Sequence, residues 1–378
     1  MIWTVFILIF GLFLAYANGA NDNFKGVATL YGSRTTTYKK SLIWTTIFTL
    51  LGSLTALYFA GELLIVFKGK GLVPSEVIAL NEFPIAVGLG AALTVMLATV
   101  LALPVSTTHA LIGALAGAGI IASSTGINFT KLAQSFFLPL IAGPLLSILL
   151  AMLIYPILKK LKDKLGVKEN TCLCIGNKTI ATSPLQIPSV SEFVHLHPEL
   201  KLPSSTMASE AYCKSHYEGF FLGFSVHNFL EKLHYFSAAL VCFARGLNDT
   251  PKIAALLLIG SRFSLQWSIT LVGVFILIGG IIHSKKIADT MGNKVTSMNP
   301  GQALTANLVT GFMVFGASKM GVPVSTTHVS CGSIFGIASI TRKAQSKMIL
   351  HILLAWVTTL PLGFIFGAGV MFALRQLL

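Results

Sequence analysis

The sequence predicts an all-α integral membrane protein made of two inverted-topology repeats. Each repeat has about five crossings with broken helices, and a large cytoplasmic loop lies between them. Three observations predict this. Charged side chains are scarce, apolar residues gather in long runs, and two short motifs each occur twice in the same order. Of 378 residues, 54% are hydrophobic and 11% are charged, whereas a soluble domain carries about 25% charged residues. The mean hydropathy is +0.79. A soluble protein of this length exposes more surface than so few charges can solvate. That excludes an ordinary cytosolic enzyme, a disordered chain and a nucleic-acid binder.

The apolar runs fall at 2–20, 41–60, 84–103, 107–123, 134–158, 235–260, 266–283, 301–318, 326–340 and 348–374. Many approach the roughly 20 residues needed to span a bilayer as a helix. The first basic residue is Lys25, so the positive n-region of a cleaved leader is missing and the first run reads as a permanent span. Between the fifth and sixth runs, the stretch from Lys159 to Lys232 holds nine Lys and seven acids. It is too polar to cross a membrane. The expected organisation is therefore a membrane repeat at 1–158, a cytoplasmic loop at 159–232 and a second membrane repeat at 233–378.

Lys and Arg set the orientation, because they accumulate on the cytoplasmic side. Their 27 residues against 13 acids give a net charge of +14, which in a soluble protein would point to nucleic acid. With the N-terminus outside, 18 of them fall in inside segments and 6 in outside segments, while Lys25, Arg245 and Lys252 sit beside the motifs. Both termini then lie outside, in a plasma-membrane protein whose surroundings are lipid. Each half contributes five crossings, an odd number, so homologous halves insert in opposite directions.

The halves do match. Residues 17–28 read ANGANDNFKGVA and residues 244–255 read ARGLNDTPKIAA. Ala17, Gly19, Asn21, Asp22, Lys25 and Ala28 match Ala244, Gly246, Asn248, Asp249, Lys252 and Ala255 at one offset. Pro104-Val-Ser-Thr-Thr-His109 recurs as Pro323-Val-Ser-Thr-Thr-His328, and Gly113 and Gly117 recur as Gly332 and Gly336. An inverted duplication of this kind is the architecture of many secondary transporters.

These paired motifs resemble the inorganic phosphate transporter family, which includes bacterial low-affinity phosphate carriers and eukaryotic sodium–phosphate symporters. The resemblance covers both membrane halves. It rests on Gly19-Ala-Asn-Asp-Asn23, Gly246-Leu-Asn-Asp-Thr250 and the two Pro-Val-Ser-Thr-Thr-His copies. It implies phosphate uptake driven by a cation gradient, with Asp22 and Asp249 needed for coupling, and no enzymatic activity. The family also contains sulfate carriers and proton-linked carriers of metal–phosphate.

Independently of the resemblance, of 13 acids only Asp22 and Asp249 are embedded in apolar runs. An ionised carboxylate there is costly and faces a partner or a wet cavity. Each follows an Asn and a nearby Gly, and Pro251 follows Thr250. Gly and Pro let a helix unwind and free carbonyls. Asn21, Asp22 and Asn23, with Asn248, Asp249 and Thr250, are accordingly the candidate sodium ligands, as a hard-oxygen set. A competing reading pairs Asp22 with Lys25 and Asp249 with Lys252 at helical spacing. The two readings can coexist, and both lysines are candidate charge partners of the anion.

The Pro-Val-Ser-Thr-Thr-His copies supply the anion side. Proline starts helices and Ser or Thr caps them. A helix N-terminus offers free N–H groups and a positive dipole end to phosphate. Ser106, Thr107 and Thr108, with Ser325, Thr326 and Thr327, are the candidate phosphate ligands. His109 and His328 read as hydrogen-bonded braces of the turn, with proton carriage as the rival reading. The glycine pairs read as small-xxx-small packing faces.

The five cysteines, an odd number with no second paired motif, predict no disulfide framework. Cys172, Cys174 and Cys213 with His195, His197 and His216 match no standard zinc spacing, so no transition metal is expected. Residues 205–232 are expected to contain an amphipathic helix near the inner surface. The expected partners are inorganic phosphate, sodium, lipid and a second copy of the chain as a homodimer, with no organic cofactor. The alternatives are a proton-coupled phosphate, metal–phosphate or sulfate permease and, from another class, an intramembrane aspartyl protease using Asp22 and Asp249.

Overall fold

The computed structural model describes residues 2–377 except 60, 70, 124–125, 165–170, 182–198, 210, 214–221 and 260–262, and the backbone only at 177–181, 199–203 and 222–227. His195, His197 and His216 lie outside the described residues. All ten apolar runs coincide with helices, because a chain in lipid must satisfy every backbone polar group within its own segment. The principal helices of the first half are α1 Ile2–Asp22, α2 Phe24–Gly32, α3 Tyr38–Phe59, α4 Glu82–Val100, α5 Thr107–Ala122 and α6 Leu138–Lys164. Those of the second half are α7 Val226–Leu257, α8 Leu265–His283, α9 Pro300–Lys319, α10 Thr326–Ile340 and α11 Ser346–Leu377.

Six helical stretches are long and apolar enough to cross a membrane: Ile2–Gly32, Tyr38–Phe59, Glu82–Val100, Phe129–Lys164, Leu265–His283 and Ser346–Leu377. The protein is a multi-pass membrane protein whose membrane-spanning part is α-helical. Three of the four remaining runs fall short for visible reasons. With 16 and 15 residues, α5 and α10 reach only about 24 and 22 Å at 1.5 Å per residue, against a hydrocarbon core of about 30 Å. The helix α7 carries Arg245, Asp249 and Lys252 along its buried face.

The expected unwinding at the two Asn-Asp motifs is corrected in part. At the first motif the helix is interrupted at Asn23 alone, whose amide still reaches the Gly19 carbonyl at 3.2 Å. At the second, α7 runs unbroken through Asn248-Asp249-Thr250 with Pro251 inside it. Pro251 cannot donate to the carbonyl four residues back, and the rest of the helix tolerates one missing bond.

The breaks with more consequence lie elsewhere. The first separates α4 from α5 and the second separates α9 from α10. Each break turns through a residue in the left-handed region, Ala102 (φ 58°) and Gly321 (φ 67°). Each then reaches a capping serine: Ser106 accepts from the His109 amide and Ser325 from the His328 amide, both at 3.1 Å. The prolines sit two residues before these caps instead of opening the first turn. Substituting Ser106 or Ser325 by Ala should lower stability by about 1 kcal/mol each, read as a lower thermal midpoint in detergent.

The glycine pairs do what small-xxx-small faces do. A Cβ on Gly113 or Gly117 would fall on the Leu360 or Phe364 carbonyl of α11, and one on Gly332 or Gly336 on Pro144, Ser147 or Ile148 of α6. The short helix of each half is thereby seated on the last helix of the other.

The chain divides into two compact units, residues 1–155 with 234–378, and residues 156–233. The second contains an antiparallel sheet of order β2-β1-β3, from β1 Thr171–Ala181, β2 Glu199–Ser209 and β3 Leu222–Ser225. In register, Cys174 faces Thr206 on one side and Gly223 on the other. One expectation is narrowed here and another is corrected. Within 205–232, residues 205–209 and 222–225 are strand, while 211–213 and the residues from 226 onward are α-helical, so helix occupies only part of the segment. Cys174 and Cys213 form a disulfide. An odd total of cysteines does not forbid one pair when a sheet brings two distant residues together.

Candidate functional site

The two motif aspartates meet the two Ser-Thr-Thr turns inside the first unit. Asp22 and Asp249 are 1% and 3% exposed, and around them Lys25, Lys252 and Arg245 are equally buried. Burial of five ionisable side chains is tolerable only if they are paired, and they are. Lys25 Nζ lies 2.8 Å from Asp22 Oδ1 and Lys252 Nζ lies 3.3 Å from Asp249 Oδ1, each three residues along its helix. Arg245 Nε lies 3.8 Å from Asp249 Oδ2, one turn away. The helical ion pairs read from spacing are therefore present, alongside contacts that spacing alone does not give.

Those contacts join the halves. Thr327 Oγ1 donates to Asp22 Oδ1 at 2.5 Å across 305 residues. Thr326 Oγ1 donates to Asp249 Oδ2 at 3.2 Å. The Lys252 ammonium donates to Thr108 Oγ1 at 2.9 Å and to the Val324 carbonyl at 2.8 Å, touching both turns at once. Asn18 Nδ2 lies 3.1 Å from Asp22 Oδ2, 3.0 Å from Thr107 Oγ1 and 3.5 Å from Asp249 Oδ2. One amide nitrogen thus stands between the two carboxylates. Helix bonding in α5 and α10 begins with Ala110 to Ser106 and Val329 to Ser325. The amides of Thr107, Thr108, Thr326 and Thr327 precede those bonds and remain available to an anion.

The six residues expected to hold sodium separate into two roles. Only the two aspartates face the turn hydroxyls. Asn21 accepts from the Val105 amide at 3.0 Å and donates to the Leu103 carbonyl and Thr99. Asn248 donates to the Val324 carbonyl and accepts from Ser318. Both asparagines brace the turn of their own half. Asn23 bonds Thr46 and Arg245, and Thr250 donates to Ser53 at 2.7 Å. These two fasten the motif helices to α3.

Each histidine braces its turn through its backbone amide, which donates to the capping serine. The rings of His109 and His328 meet at 4.4 Å between centroids, and His328 stacks on Trp356 at 3.9 Å. Trp356 in turn donates to the Pro104 carbonyl at 3.2 Å. His109 Nδ1 and His328 Nε2 are buried without a hydrogen-bond partner among the described residues.

Sequence reasoning missed Asn18, and it left Arg245 undecided. A signal was present. Asn18 and Arg245 are matched positions of the duplication, each four residues before its aspartate, and they touch: Arg245 Nη2 donates to Asn18 Oδ1 at 3.2 Å. No group of three or more His, Cys, Asp or Glu suited to a metal occurs among the described residues.

A multi-pass helical membrane protein whose buried charges converge on two helix N-termini with facing hydroxyls has the parts of a carrier for a small anion. Comparison with known proteins gives the family. The chain belongs to the phosphate transporter family, whose model matches residues 18–367. A protein of Pyrococcus horikoshii named "Putative phosphate permease" is 26% identical over 410 residues, covering 100% of this chain and 98% of that protein. A protein of Haemophilus influenzae with the same name is 28% identical, with 99% and 97% covered. A Rhizobium meliloti protein named "Probable low-affinity inorganic phosphate transporter" is 26% identical, with 97% and 95% covered. The fold is shared with a solved structure described as the sodium-dependent phosphate transporter, at a TM-score of 0.76, 19% identity and full coverage of both chains. The protein is a transporter-family member and not an enzyme, and the protease alternative has no support.

Proposed function

We propose that the protein imports inorganic phosphate by symport with sodium ions across the plasma membrane, through two repeats of inverted topology with both termini outside. One observation carries this reading. The carboxylates of the two Asn-Asp motifs are hydrogen-bonded to the Ser-Thr-Thr turns, Asp22 to Thr327 and Asp249 to Thr326. A cation that binds the carboxylates and an anion that binds the turns would share hydroxyl groups, so each would feel the other. Sodium takes Asp22 and Asp249, with Asn21, Asn23, Asn248 and Thr250 holding their surroundings. Phosphate takes Ser106, Thr107 and Thr108 with Ser325, Thr326 and Thr327. Sodium and phosphate bound together offset one another's charge, whereas either alone shifts it, so the doubly loaded site lets the repeats move past one another and open inward. Family membership supports phosphate as the substrate, and the name of the solved structure supports sodium.

Two bare carboxylates would call for at least two cations per anion, but here three buried cations already accompany them. A charge count alone does not set the stoichiometry.

The test is phosphate uptake into proteoliposomes with an inward sodium gradient and with choline in its place. Uptake should fall to background in choline. Uptake that ignores sodium and follows pH would replace this reading with the proton-linked one. The imidazole nitrogens of His109 and His328 that lack a hydrogen-bond partner among the described residues are the specific observation favouring that rival.

A further inference from the structure

We propose that Lys25 and Lys252 are tethered occupants of the two cation sites, and that an incoming sodium ion displaces each ammonium from its aspartate and hands it to the phosphate. This rests on the symport reading above and deepens it. It makes anion binding contingent on cation binding without any large movement.

Four features of the cluster lead here. Each ammonium sits on the carboxylate a coupling cation would need, at 2.8 Å for Lys25 and 3.3 Å for Lys252. Lys252 Nζ simultaneously contacts the first turn through Thr108 Oγ1 and the second through the Val324 carbonyl. It therefore already stands at the boundary between the cation and anion positions. Lys25 Nζ, beyond its ion pair, meets no acceptor at hydrogen-bonding angles among the described residues and is buried. An ammonium has three donors, and phosphate offers several acceptor oxygens. Finally, three cations face two carboxylates in this cluster, so sodium without an anion adds to an existing excess of buried positive charge. Phosphate without sodium must instead compete with the carboxylates for the same ammoniums. Only joint occupancy satisfies both, since an unpaired buried charge is strongly destabilising.

Binding of radiolabelled phosphate to the purified full chain in detergent, in sodium or in choline, tests the exchange. The wild type should bind at least about tenfold more tightly in sodium. In Asp249→Asn the ammonium of Lys252 is released without sodium, so the sodium advantage should shrink to about a third of the wild-type value or less, the remainder belonging to the Lys25–Asp22 pair, although transport is lost. In Lys252→Gln, phosphate should bind weakly in either salt, while the sodium concentration for half-maximal thermal stabilisation without phosphate should fall about fivefold or more. A general structural defect would weaken both ligands together. An undiminished sodium advantage in Asp249→Asn overturns the exchange. If that variant does not fold, a sodium half-saturation in Lys252→Gln equal to or above the wild-type value overturns it as well. A wild type that binds phosphate equally in choline removes the sodium reading and the exchange with it, and one that binds no phosphate removes the transport reading itself.

Discussion

Substituting Asp22 or Asp249 by Asn should reduce sodium-driven phosphate uptake to about 1% of wild type or less, since removing one partner of a buried ion pair strands the other charge at a cost of about 3–5 kcal/mol. Asparagine has nearly the same shape, so helix packing is unchanged and the loss is electrostatic. At Asp22, the variant strips the counter-charge from Lys25 at 2.8 Å and replaces the acceptor of Thr327 with a neutral amide. At Asp249 it does the same to Lys252 and Arg245. Uptake into proteoliposomes at graded sodium concentrations measures the effect, with a monodisperse elution profile confirming that the protein is folded. Ordinary sodium dependence in either variant would remove that aspartate from the coupling machinery.

Gly117→Val is expected to have the largest effect on folding. A Cβ at residue 117 would overlap the Phe364 carbonyl of α11, a backbone atom that no rotamer change can move aside. Separating two packed helices sacrifices their whole interface, so the cost should exceed the roughly 1–3 kcal/mol of ordinary overpacking. Little or no folded protein should be recovered from membranes. Gly316 makes the comparison fair, since a Cβ there meets nothing within 4 Å. Gly316→Ala should fold and gain up to about 1 kcal/mol of helix propensity. If Gly117→Val extracts and elutes like the wild type, α5 does not pack on α11 as described.

Much of this was legible in the residues. The ten apolar runs located ten helices, since length and composition alone decide whether a segment can live in lipid. The duplicated motifs picked out the two aspartates and the two Ser-Thr-Thr turns, and all of them converge in one cluster. The spacing of Asp22 with Lys25 and Asp249 with Lys252 gave the ion pairs, because residues three apart on a helix are neighbours wherever the helix goes. The failures also have a common cause. The strands between residues 171 and 225 and the Cys174–Cys213 pair depend on contacts between distant segments of a polar stretch with weak periodicity. The break at Asn23 and the unbroken run through Asn248 differ although the motifs match, because neighbours in space decide whether a helix opens.

The residues by themselves determined that this chain lives in a membrane, where its helices run, and that two buried carboxylates and two hydroxyl-rich turns recur as a matched set. These follow from local covalent rules: helical period, capping chemistry and the expense of charge in lipid. The tertiary structure alone decided that Asp22 is met by Thr327 of the other half, that Asn18 stands between the carboxylates, and that Arg245 adds a third cation. Such pairings join residues more than 200 positions apart. They are set by how closely helices approach at their glycines and at what angle they cross.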